Sequence, residues 1–195
     1  MTNPTDLAAL LGSRICHDLI SPIGAIGNGV ELLMMEAGPV SPELTLIAES
    51  VAAAAARIRF FRIAFGQSGT AGLGRAEIAK VLSDVSQGAR TRYEWQTDAD
   101  VSRDAAKLAF LAILCCDSAL AYGGKITVSQ QGARWQVTAA AERLRIEVEL
   151  WSALTTKSPD LTPAQVHFAL LPALLQKCGR RLEVEMTETS ITLTF

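Results

Sequence analysis

Two histidines and four cysteines are the side chains of this 195-residue sequence best suited to nucleophilic or ligand chemistry. His17 is followed directly by Asp18, and a carboxylate beside an imidazole can orient the ring or manage its proton near neutral pH. That pair is the first candidate for chemistry. The second histidine, His167, sits between Val166 and Phe168 on an amphipathic stretch and reads as structural. Cys16, Cys115, Cys116 and Cys178 form no CxxC pair, and the histidines are far apart, so no zinc site is predicted. Packing explains these thiols better than catalysis, and reduced cysteines suit a cytoplasmic protein.

The element that must position His17 is a long helix, predicted over about Thr5 to Met35. At about 100° per residue, Ala8, Ile15, Leu19, Ile23, Ile26, Val30 and Leu33 cluster on one side, the face expected to be buried. His17 falls opposite, among Ser13, Arg14, Ser21, Gly24, Asn28 and Glu31, and is expected to be exposed in mid-helix. Pro22 removes a backbone donor and crowds the carbonyl one turn back, near Asp18, so a bend beside His17 is expected. Gly24, Gly27 and Gly29 each cost a helix about 0.8–1 kcal/mol relative to alanine. Tight helix packing would account for Gly27. Gly24 shares the His17 face, where the close approach of another protein explains it better.

Gly38, Pro39, Ser41 and Pro42 break the first helix, and Ser41 before Pro42 reads as an N-cap with proline at the first helical position. A second helix is expected from there to about Phe65, giving an antiparallel hairpin. One hairpin cannot cover both its helices; two copies pairing into a four-helix bundle can. Gln67 to Gly74, with Ser68, Gly69, Gly72 and Gly74, has linker composition. Beyond it, helices are predicted at Arg75–Gly88, Ser102–Tyr122 and Pro163–Lys177, the last capped by Thr162. Strands are predicted at Tyr93–Gln96, Lys125–Gln130, Trp135–Ala139, Arg145–Leu150, Arg181–Met186 and Ser190–Phe195. The expected class is α+β: a hairpin domain over residues 1–67, a linker over 68–74 and an α/β sandwich over 75–195. Trp95, Trp135 and Trp151 are read as core or interdomain packing.

Net charge is −2, and the pI of about 5.7 argues against a general nucleic-acid binder. The most apolar run, Leu108 to Cys116, is far short of the roughly 20 residues that span a bilayer. Met1 to Asp6 lacks the charged and apolar regions of a secretory signal. A cytoplasmic location without membrane or nucleic-acid partners is the expectation.

His17-Asp18-Leu19-Ile20-Ser21-Pro22-Ile23 resembles the phospho-accepting motif of two-component histidine kinases. The longer stretch from Arg14 to Ile26, continued by Asn28-Gly29-Val30-Glu31-Leu32-Leu33, is similar to the ChpT-type histidine phosphotransferases of alphaproteobacteria. The likeness is sharpest over residues 5–66. It implies a dimeric phosphotransfer hairpin followed by a degenerate histidine-kinase-like ATPase domain. It implies that His17 takes a phosphoryl group from the receiver domain of a hybrid histidine kinase and passes it to the receiver domains of response regulators. Asp18 then matches the acidic residue that assists proton handling. Ser21 stands where many bifunctional kinases carry threonine or asparagine, which leaves phosphatase activity open.

On this reading Ser21, Gly24, Ala25, Asn28 and Leu32 form the docking strip for the receiver, with Arg14 beside it and Arg59 and Arg62 available to neutralise charge. No cofactor is expected on this chain; Mg²⁺ is expected on the partner receiver. ATP-using kinases of this kind need a metal-binding asparagine, an Asp-x-Gly-x-Gly loop and a glycine-rich lid. Here Ser118 takes the asparagine position and Ala121 that of a common lysine, no Asp-x-Gly-x-Gly occurs, and no glycine lies between Gly132 and Gly179. A phosphate-cradling loop needs such glycines for its backbone to close on the anion. The alternatives are an autophosphorylating kinase with an unusual nucleotide site, or a non-enzymatic dimeric adaptor in which the histidine is incidental.

Overall fold

The computed structural model describes residues 4–36, 40–67, 69, 71–156 and 160–195. The loop residues Gly38 and Pro39, and Ser68 of the expected linker, lie outside the described residues. Two long helices come first, α1 (Pro4–Glu36) and α2 (Pro42–Phe65). Ser41 caps α2 by accepting the Leu44 amide at 3.2 Å, with Pro42 at the first position, as the sequence predicts. Pro22 lies inside an uninterrupted α1.

The hairpin is antiparallel and close. A Cβ on Gly12 would stand 2.8 Å from the Phe65 carbonyl, so only glycine lets the helices meet there. The face of α1 turned to α2 carries Ala9, Cys16 and Val30, which are buried. This matches the expected face only in part, at buried Val30 and half-buried Ile23. Ile15, Leu19, Ile26 and Leu33 are about half exposed, and Ala8 is exposed, because α2 packs to one side of the apolar stripe and leaves the rest uncovered.

The chain continues through β1 (Gly72–Leu73), α3 (Arg75–Ser86), β2 (Thr91–Trp95), β3 (Val101–Ser102), α4 (Arg103–Ser118), β4 (Gly124–Gln131) and β5 (Arg134–Ala140). Then follow α5 (Val148–Ser152), a 3₁₀ turn (Pro163–Gln165), α6 (His167–Lys177), β6 (Glu183–Met186) and β7 (Ser190–Thr194). Five strands form one sheet in the order β2-β4-β5-β7-β6, parallel between β2 and β4 and antiparallel elsewhere. The parallel pair needs a crossover, which α4 supplies. Ile126, Val128, Val137, Ala139, Ile191 and Leu193 point into the core, and the alternate residues face outward. The class is therefore mixed α+β, with N-terminal helices and a C-terminal sheet.

α4 is apolar nearly all round, from Ala106 to Ile113, because it is packed between the sheet, α6 and α2. Phe110 on α4 meets Phe60 of α2 at 4.7 Å between ring centroids and Trp95 at 6.3 Å. Phe60 and Ala64 of the hairpin thus belong to the same core as the sheet.

Three expectations fail locally. Gly72–Leu73 is not loose linker: it pairs with Val101–Ser102, and Leu73 is buried. The helix expected to reach Tyr122 ends at Ser118, where Ala119 and Leu120 turn the chain. Arg145–Leu150 is not a strand. Both flanks of the β4–β5 hairpin are occupied, by β2 and β7, so no adjoining edge remains for it. Leu150, Trp151 and Leu154 instead bury themselves at helical spacing, with Trp151 edge-on to Phe168.

Candidate functional site

His17 projects from the middle of α1, its side chain 84% exposed. Its Nδ1 lies 3.2 Å from Asp18 Oδ1. Asp18 is held from its other side by Arg14, whose Nε is 2.8 Å from Oδ2, one helical turn earlier. The hydrogen bond with His17, then the Arg14 guanidinium, lowers the Asp18 pKa below the usual carboxylate range. The carboxylate therefore stays ionised at neutral pH. When Nδ1 carries the ring proton and donates it to Asp18, Nε2 presents its lone pair to solvent.

The residues expected around His17 divide into groups. Arg14 and Asp18 gather at the ring. Arg62 is exposed on α2 and close enough to act electrostatically on the Cys16 thiol, which places it on the same level of the hairpin. Gly24, Asn28 and Arg59 line one cavity of about 760 Å³ between lower α1, α2 and the end of α3. Ser21, Ala25 and Leu32 are exposed but do not line it. Arg59 is not free to neutralise charge: its guanidinium lies 3.0 Å from Asp84 on α3, in a half-buried ion pair. The cavity also takes in Glu31, Glu49, Gln87 and Gly88. Glu31 already shares the His17 face by periodicity, but nothing local in the sequence brings the end of α3 to it.

The two glycines of interest differ in their surroundings, and neither is forced by tight packing among the described residues. A Cβ at Gly27 would meet Val51 at an ordinary 3.5 Å, whereas one at Gly24 would meet nothing within 4 Å. Among the described residues no packing requires Gly24.

In the C-terminal half, Ser118 spends its hydroxyl on the Cys115 carbonyl at 2.6 Å, and Asp117 accepts the Tyr93 hydroxyl at 3.1 Å. Burial and the Asp117 charge raise the Tyr93 pKa, so this bond is kept across the physiological range. Among the described residues no group of His, Cys, Asp and Glu is arranged to hold a metal ion, and no helix is long and apolar enough to cross a membrane.

Comparison with known proteins gives this geometry a family. The model described as "Histidine phosphotransferase C-terminal domain" matches residues 75–190, more than half of the chain. The protein phosphotransferase ChpT of Brucella abortus (strain 2308) is 32% identical over 97% of this chain and 94% of its own. The chain belongs to the ChpT-type histidine phosphotransferases. A 1.7 Å structure of a bacterial phosphotransferase superposes with a TM-score of 0.71 at 28% identity, covering 100% of this chain and 97% of that one. A histidine phosphotransferase needs an accessible imidazole, and this one has two to choose from. His167 is 7% exposed, packed on Phe168 at 4.9 Å, its pKa lowered to about 4 by burial. His17 stands in solvent.

Proposed function

We propose that His17 is the phosphoryl acceptor of a two-component phosphorelay, loaded by the receiver domain of a hybrid histidine kinase and unloaded onto receiver domains of response regulators. The observation that carries this reading is the exposed His17 ring with Nδ1 tied to Asp18 and Nε2 open. In the transfer, Nε2 attacks the phosphorus of the receiver's aspartyl phosphate. The N–P bond forms, the P–O bond to the aspartyl carboxylate breaks, and that carboxylate leaves ionised. The ring keeps its Nδ1 proton and becomes positively charged, and Asp18 stabilises that charge. The second transfer runs the same exchange in reverse onto another receiver. Such transfers need little protein chemistry beyond positioning and charge neutralisation. Mg²⁺ and its acidic pocket come with the receiver, since Asp18 is the carboxylate this chain places at the ring.

The uncovered stripe of Ile15, Leu19, Ile26 and Leu33 supports a homodimer in which two hairpins form a four-helix bundle. That arrangement leaves each His17 on the outside. The C-terminal domain is a degenerate kinase-like ATPase domain that binds no ATP, a reading supported by the absent glycines and by the engaged Ser118 and Asp117. Cytoplasmic location goes with this role.

The test is incubation with a receiver domain carrying labelled aspartyl phosphate. The chain should gain acid-labile, alkali-stable label that His17→Ala abolishes. Label gained from ATP alone would assign a kinase instead, and label that persists in His17→Ala would exclude this site.

A further inference from the structure

We infer that Arg14 is a positioning residue for the transfer: it draws Asp18 onto the Nδ1 side of His17, so that the imidazole meets the receiver with Nε2 unprotonated. This rests on the phosphotransfer reading above and names a residue that works on the nucleophile through another side chain.

On a helix, His17 and Asp18 point about 100° apart, and neighbours in sequence do not ordinarily meet. Here they do, with Nδ1 3.2 Å from Asp18 Oδ1. Arg14 stands between the two directions, about 40° from Asp18 and about 60° from His17 on the same wheel. Its Nε lies 2.8 Å from Asp18 Oδ2. The pull of the guanidinium therefore swings the carboxylate toward the ring, and the two oxygens divide between two partners. The order of the pair argues against a mere helix brace. An acidic residue one turn before a basic one suits the helix dipole; here the arginine comes first.

Arg14 also supplies charge. An ionised carboxylate beside the nucleophile repels the incoming aspartyl phosphate, and Arg14 offsets that repulsion. Among the described residues it is the only lysine or arginine within 4 Å of Asp18. Arg59 is engaged with Asp84, and Arg62 lies near Cys16. In solvent the Arg14 pair is weak, its side chains 73% and 48% exposed. A docked receiver displaces that water, and the same contacts then act more strongly on ring and phosphate.

Two measurements on the full-length chain test this. In heteronuclear NMR with labelled histidine nitrogens, the neutral His17 ring of the wild type should hold its proton mainly on Nδ1, although free histidine prefers Nε2. Arg14→Ala should move the ratio toward the Nε2 proton by about twofold or more, and Arg14→Lys should recover part of it. In transfer from a labelled receiver domain, Arg14→Ala should lower kcat about tenfold and keep KM within about twofold. Arg14→Ala/Asp18→Asn should be no slower than Asp18→Asn alone, because both changes break one chain of contacts. An unchanged tautomer ratio, losses that multiply, or a raised KM with kcat kept overturns the inference. If no receiver labels the wild-type chain, the phosphotransfer reading fails, and the tautomer ratio alone still decides whether Arg14 orients the ring.

Discussion

Lys107 Nζ donates a hydrogen bond to the carbonyl oxygen of Gly66 at 2.7 Å, joining the second turn of the buried α4 to the C-cap of α2. Around this bond Gly69 N donates to Asp104 at 3.0 Å, Gln67 N to Ser13 Oγ at 2.9 Å, and Lys177 pairs with Asp6 at 2.9 Å. The hairpin and the sheet domain are thereby fixed to one another. The joint holds the second domain where it leaves His17 uncovered and where the end of α3 walls the cavity between the hairpin helices.

Lys107→Ala tests that joint. Lys107 is 4% exposed, so its removal leaves both a cavity and a buried carbonyl without a donor. The expected loss is about 2–3 kcal/mol of stability. For a chain of this size that lowers Tm by roughly 4–12 °C in a thermal melt.

Asp18→Asn tests ring positioning. The asparagine can still meet Nδ1 but brings no charge for the phosphorylated ring, so transfer from a labelled receiver should slow by about 10²-fold while the receiver's KM is nearly kept. An unchanged rate would remove Asp18 from the mechanism.

Gly24→Ala separates folding from partner approach. Its Cβ meets nothing within 4 Å, so the helix should gain about 0.5–1 kcal/mol and Tm should rise by ~2 °C. Transfer should nonetheless weaken, because the methyl group stands where the receiver comes close. Gly12→Ala is the contrast: its Cβ would lie 2.8 Å from the Phe65 carbonyl, and Tm should fall.

The uncovered stripe predicts the oligomeric state. Leu19→Asp/Ile26→Asp places two charges on it without touching the face packed on α2. Light scattering should report a dimer for the wild type and a monomer for this variant. A wild-type monomer would count against the bundle.

His167 predicts an acid-sensitive fold. Burial lowers its pKa to about 4, against 6.5 for the free side chain, and among the described residues its Nε2 has no partner. The unfolded chain therefore binds this proton more readily than the folded one, so stability falls with pH between about 6.5 and 4. At pH 5 the loss is about 2 kcal/mol relative to neutral pH. Urea unfolding at pH 7 and pH 5 should show it in the wild type, and His167→Leu should be flatter over the same window.

Periodicity in the sequence determines that α1 is a helix, that its apolar side lies opposite His17, and that the ring is exposed. Local chemistry determines the Ser41 cap, the β6–β7 hairpin and the absence of a glycine-rich phosphate loop. What periodicity does not record is which neighbour covers an apolar side. α2 covers only the edge with Ala9, Cys16 and Val30, leaving Ile15 and Leu19 open. The segment at 145–150 alternates like a strand, yet finds no vacant edge beside β4 or β5 and folds back as α5. Arg59 reads as a free cation until α3 brings Asp84 to it across 25 residues of sequence. Charge and polarity are written residue by residue, but grooves, partners and occupied edges arise from elements far apart in the chain, and only the packed structure brings those together.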